Sequence, residues 1–270
     1  MNVSQGLIGS RLIVSRKSLV IAHRGFPQLA PENTLPSFKL ALDAGADLVE
    51  LDYRHTRDDV PIVIHDPELN RTTNATAQFR HRHVKVASLT AAEIRTLDAG
   101  HKFNARFTGV RVPLLSEALE LICARSMALI ERKAGDPATL VHLLRKNCLT
   151  ERVVVQSFDW AFLRSLHELE PKLILAALGP AKRLPNGKAP LAVSRKLNRA
   201  WLRHVPGTGA HIVVWSQRVS KGVVQLLHNH GLRIWVYTVN HEKLANRLLH
   251  AGVDGIITNN PLLIQRISRA

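Results

Sequence analysis

The sequence has few cysteines, few aromatic residues and no long apolar run. Of its 270 residues, two are cysteines and 5% are aromatic. Cys123 and Cys148 form no Cys-x-x-Cys pair, which argues against a disulfide framework and favours a reducing compartment. No stretch approaches the roughly 18 apolar residues of a membrane span. Residues 1–17 lack the apolar core of a signal peptide. We therefore expect a cytoplasmic protein.

Acidic residues are also scarce, and one long part of the chain has none. Asp and Glu number 21 against 37 Lys and Arg, which gives a formal net charge of +16. Residues 171–241, here named the basic segment, contain no Asp or Glu. The basic segment carries eleven cationic residues: Lys172, Lys182, Arg183, Lys188, Arg195, Lys196, Arg199, Arg203, Arg218, Lys221 and Arg233. Such an excess suggests an anionic partner, namely a phosphate ester, a nucleic acid or an acidic membrane surface.

The basic segment contains no recognised nucleic-acid-binding motif, and net charge alone indicates only non-specific association. We therefore expect no specific nucleic-acid partner. Peripheral contact with an anionic membrane stays open, and the sequence does not predict an oligomeric state. We expect the basic segment to lie away from the candidate catalytic residues described below, all of which precede residue 171.

Short apolar runs alternate along the chain with amphipathic segments of helical period. Apolar residues make up 46% of the chain, as in ordinary globular proteins. Nine runs are predicted strands: Leu19–Ala22, Leu48–Tyr53, Ile62–His65, Met127–Arg132, Arg152–Gln156, Leu173–Leu178, Ile212–Trp215, Ile234–Val239 and Val253–Thr258. Repeated strand–helix units in a chain of this length favour an α/β fold, a (β/α)8 TIM barrel, as one domain over residues 1–270.

The predicted strands exceed by one the eight that such a barrel needs. Only residues 54–61 separate the second predicted strand from the third, which is too short a distance for a helix. One unit of the barrel is therefore irregular, or one candidate is not a barrel strand. Residues 66–113 are longer than a normal loop between strand and helix, and we predict a small insertion there, after the third strand.

Several predicted helices carry start signals. Thr34 is placed to cap a helix that has Pro36 in its first turn. Thr90 with Glu93 forms a capping box. Asp136 followed by a proline is a third start.

Polar residues cluster where the first four predicted strands end. These residues are His23, Arg24, Glu50, Asp52, His65, Glu131 and Lys133. The carboxyl ends of parallel barrel strands meet at one mouth, so we expect these side chains to converge. Within a strand, residues two apart point to the same face, which places Glu50 beside Asp52.

Three converging carboxylates repel one another unless a cation or protons intervene. The all-oxygen set Glu50, Asp52 and Glu131 suits a hard divalent ion, Mg²⁺ or Ca²⁺. Arg24 and Lys133 are suited to a phosphate.

His23 and His65 titrate near neutral pH and suit acid/base work. With the metal set and the phosphate-binding cations, they make up the parts of a phosphodiesterase. Each group alone also has an ordinary structural explanation, such as a packed histidine or a surface ion pair. Their joint placement at strand ends favours the catalytic interpretation.

Several motifs in order resemble the glycerophosphodiester phosphodiesterase family. The first half contains Ile21–Gly25 (IAHRG), Ala30–Thr34 (APENT), Gly45–Asp52 (GADLVELD), Thr56–Asp58 (TRD), Pro61–Asp66 (PIVIHD) and Leu69–Thr73 (LNRTT). The second half contains Val112–Ala118 (VPLLSEA), Ile130–Lys133 (IERK), Gln156–Asp159 (QSFD), Tyr237–Asn240 (YTVN) and Gly252–Thr258 (GVDGIIT). The resemblance covers roughly residues 19–262, and the ordered series is far more specific than any one motif.

The resemblance implies a TIM barrel that hydrolyses glycerophosphodiesters to glycerol 3-phosphate and an alcohol. It implies a divalent metal bound by Glu50, Asp52 and Glu131. His23 and His65 match the family's acid/base pair, and Arg24 and Lys133 match its phosphate-contacting positions. The order of acid and base stays open, as does the choice between water and a neighbouring glycerol hydroxyl as nucleophile.

The chain departs from the family pattern at three positions. Tyr237 stands where Trp is usual, Asn259 where Asp is common, and Asp59 where a turn Gly is usual. Asp tolerates the left-handed backbone conformation of such a turn. The other two changes bear on the alcohol pocket and on a charge at its rim.

Two other functions compete with this one. A lysophospholipase D-like or sphingomyelinase D-like enzyme would use the same site but act on lipids, and would need an apolar rim. A catalytically inactive barrel used for binding is a third possibility, against which the complete residue set argues.

Overall fold

The computed structural model describes residues 17–190 and 195–269. Its strands are β1 (Leu19–Ala22), β2 (Leu48–His55), β3 (Pro61–Val63), β4 (Met127–Arg132), β5 (Val153–Ser157), β6 (Ile174–Leu178), β7 (Ile212–Ser216), β8 (Arg233–Tyr237) and β9 (Gly255–Thr258). Its α-helices are α1 (Leu35–Asp43), α2 (Ala75–Phe79), α3 (Ala91–Ile94), α4 (Leu115–Cys123), α5 (Pro137–Lys146), α6 (Trp160–Leu169), α7 (Arg199–Leu202), α8 (Lys221–His228), α9 (Glu242–Ala251) and α10 (Pro261–Arg269). Short 3₁₀ turns lie at Val86–Ser88, Ala105–Phe107 and Pro206–Thr208.

Eight of these strands form a closed parallel barrel. The pairing runs from β1 through β2, β4, β5, β6, β7, β8 and β9, and β9 pairs back to β1. The prediction of a (β/α)8 barrel with one irregular unit is confirmed. The ninth strand, β3, lies outside the barrel and pairs antiparallel with the far end of β2, with Tyr53 opposite Val63. The extra predicted strand is therefore β3, which forms an antiparallel hairpin with the end of β2. The insertion follows it.

Alternation along the strands separates the barrel interior from the layer under the helices. The interior is filled by side chains that include Leu48 of β2, Leu129 of β4, Val154 of β5 and Trp235 of β8. The intervening residues, such as Val49 and Ile130, pack outward in the larger core beneath the helices. Because the side-chain period of a strand is two, the next inward positions above Leu48 and Leu129 are Glu50 and Glu131. The fold therefore aims these acids into the mouth of the barrel.

The insertion between β3 and α4 has a small core of its own. Ile62, Leu69, Val84 and Ile94 are among its buried residues. The insertion lies beside the loop that follows β1, where the side chain of Arg71 meets that of Glu32.

The helix starts follow the sequence signals with one exception. The Thr90–Glu93 capping box is present, and Asp136 caps α5 by accepting a hydrogen bond from the Thr139 amide. Thr34 stands at the N-cap of α1, but its hydroxyl donates to the Pro31 carbonyl and caps nothing. Within residues 17–190 and 195–269, no helix has both the length and the apolar content needed to cross a membrane.

Candidate active site

Three buried carboxylates form the floor of the barrel mouth. Glu50 and Asp52 come from β2 and Glu131 from β4, and the exposed fraction of each is 6% or less. Asp52 and Glu131 lie side by side in the β2–β4 register. One oxygen from each of the three residues lies within 4.8 Å of the others. The sheet itself therefore concentrates negative charge at one point.

The electrostatics of this cluster show how strongly it needs positive charge. Burial raises the pKa of Glu50 well above its usual value, and the charges of Asp52 and Glu131 raise it further. Burial and the Asp52 charge raise the pKa of Glu131 to about 7. Burial acts in the same direction on Asp52, but Lys133 and Arg24 outweigh it and lower the pKa of that carboxyl. Without a counter-ion the cluster holds protons that free carboxylates would have released.

The cluster fits a divalent cation. Glu50 Oε1 and Asp52 Oδ1 are buried and make no hydrogen bond within the described residues. A buried acceptor without a hydrogen bond costs free energy, so Glu50 Oε1 is suited to coordination. Asp52 Oδ1 is suited to it as well, although the Lys133 ammonium lies 3.3 Å away as an ion-pair partner. Hard cations such as Mg²⁺ and Ca²⁺ take all-oxygen sets of this kind.

Two cationic side chains, Arg24 and Lys133, contact the cluster and meet different oxygens of Asp52. The Arg24 backbone amide donates to Glu50 Oε2 at 2.8 Å, and its guanidinium Nε lies 3.2 Å from Asp52 Oδ2. The Lys133 ammonium lies 3.3 Å from Asp52 Oδ1 and donates to Glu131 Oε1. Both side chains therefore border the acids from the mouth, where an anionic ligand would meet them.

The backbone after β1 explains the glycine that follows Arg24. Arg24 has φ of 55° and Gly25 has φ of 85°, so the chain turns through two left-handed residues. A Cβ on Gly25 would lie 2.4 Å from the Ser37 hydroxyl oxygen. Only glycine fits this close approach, which brings the Arg24 amide onto Glu50.

His23 also follows β1 and points into the mouth. Its Nδ1 lies 2.7 Å from Asn259 Oδ1. An amide oxygen only accepts, so Nδ1 carries the proton and Nε2 is left with its lone pair. Burial, followed by the adjacent Arg24 charge, lowers the pKa of His23 to about 4. His23 is therefore neutral at pH 7.

His65 reaches the same mouth by a different route from the one expected. The sequence placed it at the end of a parallel barrel strand, which is wrong: β3 is antiparallel and His65 lies in the loop after it. The Ile64 amide donates to the Asp52 carbonyl at 3.0 Å, which brings this loop over the end of β2. His65 Nδ1 lies 2.6 Å from Asp66 Oδ1. Burial lowers the pKa of His65, while Asp52 and Asp66 oppose that shift.

The predicted residues meet around one cavity of about 270 Å³. Six of the seven line it, and Asp52 lies beneath them. The opposite wall is mostly apolar, formed by Phe158, Leu178, Tyr237 and Ile257. The cavity therefore has an ionic end and an apolar end.

Several site residues were not assigned from the sequence. Asn33 donates from Nδ2 to Asp52 Oδ2 at 2.8 Å and accepts from the Asp52 amide at 3.2 Å. Gln156 lines the cavity and is buried, with Oε1 making no hydrogen bond within the described residues. Asn33 and Gln156 both lie inside motifs that carried the family resemblance. The motifs marked the right places, but the pairings depend on contacts between distant parts of the chain.

The Tyr237 hydroxyl has a defined partner. It donates to the Gly179 carbonyl at 2.8 Å, and the ring meets Phe158 edge to face at a centroid distance of 6.4 Å. The Lys182 ammonium lies 5.5 Å from the Phe158 ring centroid. The basic segment therefore lines part of the cavity with the uncharged residues Leu178, Tyr237 and Thr238, while its cation Lys182 contacts Phe158 and does not line the cavity.

The fold and the site define a class: a (β/α)8 barrel with a buried cluster of three carboxylates at the carboxyl ends of its strands. The glycerophosphoryl diester phosphodiesterase family model matches residues 23–263. A glycerophosphodiester phosphodiesterase of Bacillus altitudinis is 35% identical over 250 residues, covering 90% of this chain and 94% of that protein. One of Caldanaerobacter subterraneus subsp. tengcongensis is 32% identical over 252 residues, covering 91% and 95%.

A solved structure agrees with the sequence comparisons. The Oleispira antarctica phosphodiesterase, in complex with the product sn-glycerol-3-phosphate, has a TM-score of 0.81 and 25% identity, covering 96% of this chain and 99% of that one. The chain belongs to the glycerophosphoryl diester phosphodiesterase family. It is accordingly an enzyme, a phosphoric diester hydrolase.

Cation binding should stabilise the fold in a pH-dependent way. Ligand at about 100 times its Kd adds about 2.7 kcal/mol, which for a chain of this size raises Tm by roughly 5–10 °C. Protonated carboxylates do not coordinate, and the pKa of Glu131 is raised to about 7. The rise in Tm with Ca²⁺ or Mg²⁺, measured against EDTA by scanning calorimetry, should therefore be larger at pH 8 than at pH 5.5.

The matched variants for this experiment are Glu131→Gln and Glu120→Gln. Glu120 is exposed on α4, away from the cluster. We expect Glu120→Gln to keep the cation-dependent rise and Glu131→Gln to lose most of it. An equal rise in both variants would contradict the assignment of the cluster.

Replacing Asn259 with Asp should change the protonation of His23. A carboxylate beside Nδ1 stabilises the imidazolium, so the pKa of His23 should move up by roughly 1 to 3 on the pH scale. The measurement is an NMR titration of the ring nitrogens in the wild type and in Asn259→Asp. A midpoint that does not move would show that the Asn259 contact is absent in solution.

Proposed function

We propose that the protein hydrolyses glycerophosphodiesters to glycerol 3-phosphate and an alcohol, with a divalent cation and two histidines. The observation that carries this proposal is the convergence of three acids, two cations and two histidines on one cavity. The product bound by the Oleispira antarctica phosphodiesterase supports the same reaction.

The ionic end of the cavity is suited to the phosphate. Glu50, Asp52 and Glu131 would hold the cation, which we propose to be Mg²⁺ or Ca²⁺. When bound, such an ion supplies Lewis-acid stabilisation of the charge that develops on the phosphoryl oxygens. Arg24 and Lys133 would bind the remaining phosphate oxygens, since both already face the acids from the mouth. Charge-assisted donors of this kind are strongest in a water-excluded site.

The two histidines would share the proton transfers. His23 is neutral and has a free Nε2, because Nδ1 donates to Asn259 Oδ1. It therefore suits the removal of a proton from the nucleophile. His65 is paired with a carboxylate, Asp66, which favours its protonated form relative to that of His23. His65 therefore suits protonation of the leaving alkoxide.

The apolar wall would receive the carbon part of the substrate. Phe158 and Tyr237 form an edge-to-face pair, and Leu178 and Ile257 complete this side. Tyr237 keeps the aromatic surface of the family's usual Trp, while its hydroxyl is satisfied by the Gly179 carbonyl. We infer that the wall excludes water and orients the substrate without binding charge.

A direct assay tests the proposal. Purified protein is incubated with glycerophosphocholine, glycerophosphoethanolamine, glycerophosphoglycerol or glycerophosphoinositol, and glycerol 3-phosphate is measured with Mg²⁺, Ca²⁺ or EDTA. We expect turnover with a cation and none in EDTA. His23→Ala and His65→Ala should each lower kcat by about 10²–10⁴-fold. His142→Ala, on the exposed face of α5, should leave kcat unchanged.

Two outcomes of this assay would contradict the proposal. Full activity in EDTA would remove the cation from the mechanism. Near-normal turnover by either His23→Ala or His65→Ala would remove that histidine from the proton transfers.

One observation favours a lipid substrate as the second candidate. Apolar residues line one part of a second cavity of about 190 Å³: Pro27, Pro31, Ala99 and Phe103. The rest of its lining is polar or charged: Glu32, Arg71, Thr72 and Lys102. Phe103 and Leu29 are each 42% exposed. Pro27, Pro31 and Phe103 therefore offer apolar surface beside charged side chains, which a lysophospholipid or sphingomyelin substrate would need. Lysophosphatidylcholine and sphingomyelin are therefore added to the substrate panel, and preference for either one identifies the lysophospholipase D-like or sphingomyelinase D-like activity.

Several expectations remain predictions. We propose that residues 1–270 form one domain with an insertion at about 66–113, that anionic membranes are peripheral contacts, and that nucleic acid is not a specific partner. A cytoplasmic location also stays a prediction, supported by Cys123 and Cys148, which are both free thiols.

A further inference from the structure

Arg71 of the insertion contacts two acids that each hold a residue of the site. Its Nε donates to Asp66 Oδ2. Its Nη1 and Nη2 donate to Glu32 Oε2 and Oε1 at 2.9 and 2.7 Å. No step of the proposed reaction uses Arg71, and its side chain is 48% exposed. One guanidinium thus joins two loops that are far apart in the sequence.

Each of the two acids contacts a different residue that lines the catalytic cavity. Asp66 Oδ1 lies 2.6 Å from His65 Nδ1. Glu32 Oε1 accepts from Arg24 Nη1 at 2.9 Å. A single residue therefore separates Arg71 from the proposed proton donor His65, and a single residue separates it from Arg24, which is proposed to bind the phosphate.

We propose that Arg71 is a positioning residue for the reaction, which orients His65 through Asp66 and Arg24 through Glu32. The insertion would then be part of the catalytic apparatus, although none of residues 66–113 lines the catalytic cavity of about 270 Å³. This inference rests on the proposed function, because it concerns the geometry of residues to which that function assigns roles.

The need for such a positioning residue follows from how His65 is held. His65 lies in a loop after the three-residue strand β3, outside the barrel. Its orienting carboxylate, Asp66, is in the same loop, so the pair has no rigid element of its own. A guanidinium has a rigid fork of donors, which fixes the orientation of the acids that it contacts.

The effect of Arg71 should fall on catalysis and not on stability. Exposed ion pairs contribute little to folding free energy. A misplacement of a reacting group by about 1 Å, in contrast, can cost about 10²-fold in rate. The two contacts should also separate in kinetics, since His65 acts on kcat and Arg24 on substrate binding.

The test compares Arg71→Ala and Arg71→Lys with Arg57→Ala, using glycerophosphocholine as substrate. Arg57 is the control, since it is similarly exposed at 55% and also pairs with an acid, Glu93, at 3.3 Å, but it has no contact with a site residue in the described part of the chain. We expect Arg71→Ala to lose about 10- to 100-fold in kcat/KM, Arg71→Lys to recover only part of that loss, and Arg57→Ala to match the wild type. Equal loss in the two alanine variants, or wild-type kinetics in Arg71→Ala, would overturn the proposal.

Single and double variants test the two contacts separately. Asp66→Asn should lower kcat, and Glu32→Gln should raise KM. In a His65→Ala background, Arg71→Ala should no longer lower kcat, because the residue through which it acts is gone. An unchanged kcat loss in that background would show that Arg71 does not act through His65.

An NMR readout keeps the inference separate from the proposed function. The His65 Nδ1 proton, held by Asp66, should give a hydrogen-bonded ring signal in the wild type and in Arg57→Ala, and should lose it in Arg71→Ala. Persistence of that signal in Arg71→Ala would overturn the positioning role whatever the enzyme hydrolyses. Absence of glycerophosphodiester turnover in the wild type would instead overturn the proposed function.

Discussion

The structure of the site depends on one constraint, the burial of three carboxylates within 4.8 Å of one another. Taking charges out of water is costly unless they are paired. Four groups contact the carboxylates: the backbone amide and the guanidinium of Arg24, the side-chain amide of Asn33 and the ammonium of Lys133. Glu50 Oε1 nevertheless makes no hydrogen bond in the described part of the chain. The cluster therefore still needs positive charge, and a divalent cation held by the three acids would supply it.

Outside the three carboxylates, cationic and acidic side chains alternate in a chain of ion pairs. Arg24 is shared between Asp52 and Glu32, Glu32 is shared with Arg71, and Arg71 leads through Asp66 to His65. Each link satisfies a neighbour that would otherwise lie uncompensated in a partly buried site. The insertion is held to the barrel at this point, so its position and that of His65 are set together. Three of the chain's cationic side chains, Arg24, Arg71 and Lys133, are thus paired with acids in or beside the site.

Much of this arrangement could be predicted from the sequence, because it follows from strand periodicity. Leu48, Glu50 and Asp52 share one face of their strand by simple alternation, as do Leu129 and Glu131. The barrel and the acid cluster could therefore be predicted from the sequence. His65 was also expected at the mouth, where it lies, but the way it gets there was not predictable. An antiparallel hairpin and a loop carry it, and the sequence pattern of β3 resembles that of a barrel strand. The Asn259 contact with His23 joins residues 236 apart, and the Arg71 contact with Glu32 joins residues 39 apart. Such pairings depend on barrel closure and on the docking of the insertion, which no local pattern encodes.

The central claim is that Glu50, Asp52 and Glu131 together hold one divalent cation. The most direct measurement is the crystal structure of the protein grown with Mn²⁺, which has oxygen ligands and an anomalous signal that locates it. The account predicts a single strong peak at coordination distance, about 2.0–2.6 Å, from an oxygen of each of the three residues. A cluster that binds no ion, with Lys133 still donating to Glu131, or an ion bound elsewhere in the barrel, would contradict it.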